Sequence, residues 1–221
     1  GSGTWLKDGK ASMWSYKSRS KLVGVFGRVN YNWKNLIMAS ASLRYEGSTK
    51  FGANNKWGAF PAASVAWEMA NMDFMRGASW INSLKPRLSY GVTGRSDFDS
   101  YMSLSTYKTY GAYYSNGSWV NGYAPSRNAN PDLAWEKLVS MNFGVDFSIF
   151  DNRLRGSVDL FDRQTRDLLY EYTAPKPPFI YDTILVNVGT TENYGVELSV
   201  DYDVFKSSSP LQWTTGINAS M

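Results

Sequence analysis

Carboxylates that stand close together in the chain are the first candidates for chemistry. Asp97 and Asp99 sit in RSDFDS, Asp159 and Asp162 in VDLFDRQ, and Glu192 and Glu197 in TTENYGVELSV. Two acids flanking a cleft can hydrolyse a glycosidic bond, one as proton donor and the other as base or nucleophile. Asp97 and Asp99 could instead open a calcium loop. However, the glycine and distal glutamate of an EF-hand are missing, and calcium takes about six to eight oxygens, so a solvated loop and no metal site are expected. Cysteine and histidine are both absent, which excludes a disulfide framework, a zinc site and a His-based triad within this chain. The runs GVFG and GVTG lack the strand-to-helix setting of a nucleotide-binding turn. No catalytic residue and no cofactor is expected, and the paired acids read better as the polar lining of a pore.

Aromatic residues offer a different chemistry. The stretch TYKTYGAYYSNGSWVNGY, residues 106–123, carries Tyr107, Tyr110, Tyr113, Tyr114, Trp119 and Tyr123. Their flat apolar faces have polar rims, on which sugar rings stack and peptide side chains pack. Tyr113, Tyr114, Trp119 and Tyr123 are the candidate substrate contacts; packing against one another or against a partner protein is the alternative. The formal charge of +4 is spread along the chain with no basic run, which argues against nucleic acid as a partner.

The elements that must position these residues are strands. Val23, Val25, Val29, Tyr31 and Trp33 alternate with Gly24, Phe26, Arg28, Asn30 and Asn32, and a tight turn near Lys34 and Asn35 leads to Ile37, Ala39, Ala41, Leu43 and Tyr45 on the same face. Trp57, Ala59, Pro61, Ala63, Val65 and Trp67 continue the pattern. Five further runs repeat it, built on Leu84–Val92, Val139–Ile149, Leu154–Leu160, Tyr194–Tyr202 and Leu211–Ala219, which makes about eight strands. The charges fall on the other face, where Arg28, Arg44, Lys85, Arg87 and Arg155 could pair with acids such as Glu46, Asp146 and Glu197.

A soluble β-sandwich alternates too, but three features point elsewhere. The runs reach about ten to twelve residues, where globular strands average about five or six and membrane strands need about nine to eleven. The aromatics of the apolar face sit at the ends of the runs: Trp33, Trp67, Tyr202 and Trp213 beside the short turns, and Tyr45, Trp57, Tyr90 and Tyr194 at the opposite ends. Two such girdles mark the water–lipid boundaries of a membrane barrel. Connections also alternate between short turns and long polar loops, the longest from about Arg95 to Lys137, as in outer-membrane barrels. One longer link on the short side, ANMDFMRGASWINS, has room for a helical turn. Pro61 and Pro86 each remove a ladder donor, and a local bulge is expected at each. No run of apolar residues is long enough for a transmembrane helix. The first residues do not read as a signal peptide, and alternation is still running at Met221, so both ends read as cuts through a longer protein.

LRYEGSTKFGANNKWGAFPAASVAWE (Leu43–Glu68) resembles the signature of SusC/RagA-type TonB-dependent transporters. LKPRLSYGVTG, NPDLAWEK, FDNRLRGSVDLFDRQTRDLL, TTENYGVELSV and GRVNYNW match the same family, so the resemblance runs over most of residues 21–204. It implies an all-β antiparallel transmembrane barrel segment of about eight strands within a barrel of about 22. Residues 21–221 would be a partial barrel without its plug domain and final strands, while residues 1–20 match no known stretch and are expected in an external loop. The family implies an outer-membrane importer of oligosaccharides, or alternatively oligopeptides. It implies energy from TonB–ExbB–ExbD through the missing amino-terminal part, a SusD-like surface lipoprotein as partner, and outer-membrane lipid around the wall. A self-contained eight-stranded barrel with a structural or adhesive role is the rival from another class.

Overall fold

The computed structural model describes residues 2–7, 10–206 and 208–221, with side chains from residue 15 onward. The strands are β1 (Ser2–Lys7), β2 (Lys10–Ser15), β3 (Leu22–Trp33), β4 (Ile37–Ser48), β5 (Trp57–Trp67), β6 (Ile81–Arg95) and β7 (Tyr107–Ser115). They continue with β8 (Ser118–Pro125), β9 (Glu136–Ile149), β10 (Leu154–Arg166), β11 (Leu169–Thr173), β12 (Thr183–Asn187), β13 (Thr190–Asp203) and β14 (Thr214–Ser220). Eight of them form one antiparallel sheet in the order β14-β13-β10-β9-β6-β5-β4-β3, and three separate hairpins, β1–β2, β7–β8 and β11–β12, complete the set. The large sheet is therefore an up-and-down meander in which each strand pairs with the next spanning strand of the chain.

Period-2 alternation explains the two faces, and the register carries it across the sheet. Val29 pairs with Ala41, Ala41 with Ala63, Ala63 with Tyr90, and Tyr90 with Met141. Phe143 pairs with Leu160, and Leu160 with Val196. This apolar face has no protein layer over it among the described residues: Val25 is 70% exposed, Val29 71% and Phe143 45%. A sandwich would have crowded Val145, Leu198 and Trp67 into a core, yet Leu198 and Trp67 stand open. Four charges of the described strands depart from the pattern, all at the long-loop end of this face: Asp162 shares its row with Met141 and Tyr194, Glu192 pairs with Gln164, and Lys137 pairs with Arg166.

The short turns use left-handed backbone where the sequence permits it. Lys34 and Asn35 have φ of 52° and 56°, and the Asn35 amide donates to Asn32 Oδ1 at 3.0 Å, which steadies the turn. The β9–β10 turn places Phe150, Asp151 and Asn152 all at positive φ. A bulky residue pays strain there; the Phe150 amide donates to the Trp80 carbonyl at 2.8 Å and the two rings stack at 5.8 Å. The β5–β6 link, where a helical turn was expected, contains two 3-10 turns, Met69–Asn71 and Asp73–Met75.

The expected proline bulges are not there. Pro61 pairs with Leu43 and Pro86 with Val145 in unbroken register. The irregularity of β6 lies instead between Ile81 and Ser83. What the prolines do is end a ladder. β5 and β6 pair over five positions, from Ala62↔Gly91 to Ala66↔Arg87, and each proline stands one residue outside an opposite end. The two long polar loops hold the β7–β8 and β11–β12 hairpins, whose alternation is too short and too mixed to show in a sequence.

Candidate functional site

The charged face of the sheet is a network of pairs. Arg87 on β6 donates through Nε to Asp146 Oδ1 at 3.1 Å and through Nη2 to Asp159 Oδ2 at 2.8 Å, spanning β9 to reach β10. Lys85 Nζ lies 3.4 Å from the other Asp146 oxygen. The crossing is possible because Gly144 lies beneath: a Cβ there would sit 2.7 Å from Arg87 Cζ. Arg44 pairs with Glu46 at 2.8 Å. Arg155 binds Asp203 at 2.7 Å, an acid outside those named from the sequence, and Thr214 donates to the same carboxylate at 2.6 Å. Arg28 has no acid beside it among the described residues and lies 6.0 Å from the Phe26 ring.

The acid pairs do not form a cleft for hydrolysis. Asp159 faces the charged side and Asp162 the apolar side, since they differ by an odd number of strand positions. Glu192 and Glu197 separate in the same way, and Gln164 Nε2 donates to Glu192 at 2.7 Å. Asp97 stands 3.7 Å from Arg95 on the surface.

The motifs of the long-loop end build a small core. Phe51, Phe60 and Trp135 are buried together, with Val92 and Phe98 against them. The Phe51 and Trp135 rings lie 4.2 Å apart, and Phe60 meets Trp135 edge-on at 5.3 Å. Around this core the backbones are stitched: the Gly52 amide donates to Leu133 O at 2.9 Å, the Asn54 amide to Pro131 O at 3.1 Å, and Trp135 Nε1 to Lys56 O at 3.2 Å. Asn187 donates to Ala134 O and accepts from the Ala134 amide, and Asn130 donates to Leu185 O. KFG and NPDLAWE thus hold three external loops in one body. That role could have been suspected from Asn, Gly and Pro clustered beside lone aromatics.

From this body projects the hairpin that carries the candidate substrate contacts. Tyr114 pairs with Trp119, their rings 5.6 Å apart, and Thr109 pairs with Tyr123. Between them Tyr110 and Gly111 face a single residue, with Gly111 at φ 71°, so β7 carries one extra residue and its alternation resumes beyond. Tyr107, Tyr114, Trp119 and Tyr123 consequently share one face, together with Thr109 and Asn121. Tyr113 pairs with Val120 on the other face, where Lys108 Nζ sits 5.5 Å from the Tyr181 ring of the neighbouring loop. The structure brings three of the four candidates together and separates Tyr113 from them. Trp119 is 74% exposed and Tyr123 69%.

The family described as TonB dependent receptor-like, beta-barrel, matches residues 2–221. The chain belongs to this family. TonB-dependent receptor P39 of Formosa agariphila is 36% identical over 199 residues, which cover 90% of this chain and 19% of that protein. TonB-dependent receptor SusC of Bacteroides thetaiotaomicron is 31% identical over 190 residues, 85% of this chain and 19% of its own length. Among solved structures, the RagAB peptide importer in its open-open state superposes with a TM-score of 0.78 at 26% identity, covering 96% of this chain and 22% of that one. The chain spans about a fifth of the length of these relatives. As part of a TonB-dependent receptor barrel it is an outer-membrane wall segment of the SusC/RagA type, with no enzymatic role.

In this TonB-dependent receptor wall the apolar face is the outer one and the charged network lines the interior. Trp33 and Trp67 end β3 and β5, Trp57 begins β5, and Trp213 immediately precedes β14. Tyr45 stacks on Trp57 at 5.1 Å, and Arg153 Nη2 donates to the Tyr202 hydroxyl at 3.0 Å. Tyr90 and Tyr194 share one pairing row through Met141 and Asp162. Phe74, Trp80 and Phe150 are exposed aromatics at the short-turn end that alternation could not reveal, because they lie in connections.

Proposed function

We propose that the whole protein is a TonB-dependent importer of the SusC/RagA type that carries an oligosaccharide through the outer membrane. The importer reading is supported by the similarity to P39 and SusC over 85–90% of the chain. The cargo reading rests on one observation: the exposed face of the β7–β8 hairpin presents Tyr107, Tyr114, Trp119 and Tyr123 with Thr109 and Asn121, and no charged side chain. Rings that stack on pyranose faces, beside amide and hydroxyl groups that bond neutral hydroxyls, suit an uncharged glycan. Tyr113, on the opposite face, would then support the hairpin.

An oligopeptide is the second reading, favoured by the likeness to RagAB, whose solved forms are described as a peptide transporter and importer. Either cargo agrees with a SusD-like lipoprotein over the loops and with TonB–ExbB–ExbD acting through the amino-terminal part of the full protein. In this reading Trp33, Trp67, Tyr202 and Trp213 ring the inner lipid boundary and Tyr45, Trp57, Tyr90 and Tyr194 the outer one. The β1–β2 hairpin, which precedes β3 at the long-loop end, lies outside the cell.

Titration of the purified full-length protein with mixed neutral oligosaccharides and with mixed oligopeptides, followed by tryptophan fluorescence, separates the two. Saturable binding of the glycans alone is expected. Saturable binding of the peptides alone would replace the glycan reading with the peptide one.

A further inference from the structure

The wall is not bonded evenly. β3–β4 pair over 12 positions, β4–β5 over 11, β6–β9 over 14, and β9–β10 and β10–β13 over 13 each, but β5–β6 pair over only five. Backbone direction explains the short ladder. The Leu84 amide donates to Glu68 Oε1 at 3.0 Å, so the even-numbered amides of β6 point toward β5. The Glu68 amide donates to Leu36 O, on the β4 side, so the odd-numbered amides of β5 point toward β6. The hydrogen-bonded pairs of this ladder are therefore Ala63 with Tyr90 and Val65 with Leu88. The next such pairs in either direction would be 61 with 92 and 67 with 86. Each contains a proline whose nitrogen, with no proton, faces the partner strand.

Side chains take over where the backbone stops. Beyond Pro61 the Phe60 ring turns into the gap and packs over β6: a Cβ on Gly94 or on Gly58 would overlap it, and Phe60 is 6% exposed. Beyond Pro86 the Glu68 carboxylate accepts from the Leu84 amide and, at 2.7 Å, from the Ser83 hydroxyl. Outside the wall, the Gly52 and Asn54 amides bridge the same two halves by bonding Leu133 and Pro131.

We infer that the β5–β6 contact is a yielding seam in the barrel wall, closed by Phe60 at its outer end and Glu68 at its inner end, where β3–β4–β5 separates from β6–β9–β10–β13 before any other pair parts. Two bonded pairs open at lower cost than the larger number in every other ladder of this sheet, including β13–β14, which pairs over seven positions. The two latches are side chains, which can swing away and return without rebuilding a ladder. The bore can thus adjust along one line while the rest of the wall stays bonded.

Hydrogen exchange read by mass spectrometry on the full-length protein in detergent tests this. The amides of Ala63, Val65, Leu88 and Tyr90, which face the seam, are expected to exchange at least about tenfold faster than those of β9–β10. Phe60→Ala and Glu68→Gln each accelerate the seam further and leave β9–β10 unchanged. Equal protection of the seam and β9–β10, or latch variants that loosen the whole wall, would overturn the inference. A second measurement covers latch variants that fail to assemble. An oxidised Ser64→Cys/Ser89→Cys pair, directly opposed across the seam, should raise the thermal midpoint over its reduced form more than a Ser157→Cys/Ser199→Cys pair across β10–β13. Equal rises would count against a seam.

Discussion

Arg87 reaches Asp159 across an intervening strand, its Nη2 lying 2.7 Å from Asp159 Oδ1 above the bare backbone of Gly144. The bond matters because Asp159 stands directly opposite Glu197, which has no cation on it among the described residues. Like charges facing across strands oppose pairing, so the arginine offsets a repulsion as well as forming a contact. Arg87→Met should lower the urea stability of the full-length barrel by about 1–3 kcal/mol, the usual cost of stranding a partly buried polar partner. Adding Asp159→Asn should recover part of that loss. A double variant that loses the sum of the two single losses would show that the residues act independently.

Gly144→Val addresses the same bond from beneath. Its side chain would occupy the path of the guanidinium, and the variant should reproduce the Arg87→Met loss without removing either charge. Wild-type stability in Gly144→Val would mean that the bridge has another route.

The external loop body depends on Trp135, which is 4% exposed and touches both Phe51 and Phe60. Trp135→Ala should cost about 3–5 kcal/mol locally. Limited proteolysis should then cut within residues 96–135 while the strands remain heat-modifiable. Cleavage rates matching wild type would contradict the role given to this core.

Adjacent residues on β9 test which face meets lipid. Phe143→Lys puts a charge on the outer face, at a cost of about 2–4 kcal/mol near the bilayer midplane, and should reduce the amount of folded barrel in outer-membrane fractions. Asn142→Lys, on the inner face, should insert normally. Equal insertion of the two would reverse the assignment.

On the hairpin, Trp119→Ala and Tyr123→Ala should each weaken binding of the cargo by up to about tenfold, since one aromatic contact is worth about 0.5–1.5 kcal/mol. Tyr113→Ala, facing the other way, should leave the affinity nearly unchanged. A larger loss at Tyr113 than at Trp119, measured by titration, would invert the proposed binding face.

Strands, faces and turn positions were legible in the sequence because each is written locally. Alternation every two residues names the face of Val25 or Arg87 without knowledge of any neighbour, and a turn such as Lys34–Asn35 shows itself by the break in that rhythm. The motif KFG and the motif NPDLAWE were visible as well, but their meaning was not. That Phe51 and Trp135 pack against each other depends on two loops separated by a whole pair of strands.

What tertiary structure alone decided were relations across strands. Arg155 takes Asp203 and not Glu197 because it pairs with Asp201, which places Asp203 one step along its own face and Glu197 two steps away on the other side. Pro61 and Pro86 looked like two separate flaws; only the register shows that both withhold a proton from the same interface. A chain specifies locally which way each side chain and amide points. What those groups meet is set by the pairing of distant strands, and for this wall the pairing turned two isolated prolines into the limits of one ladder.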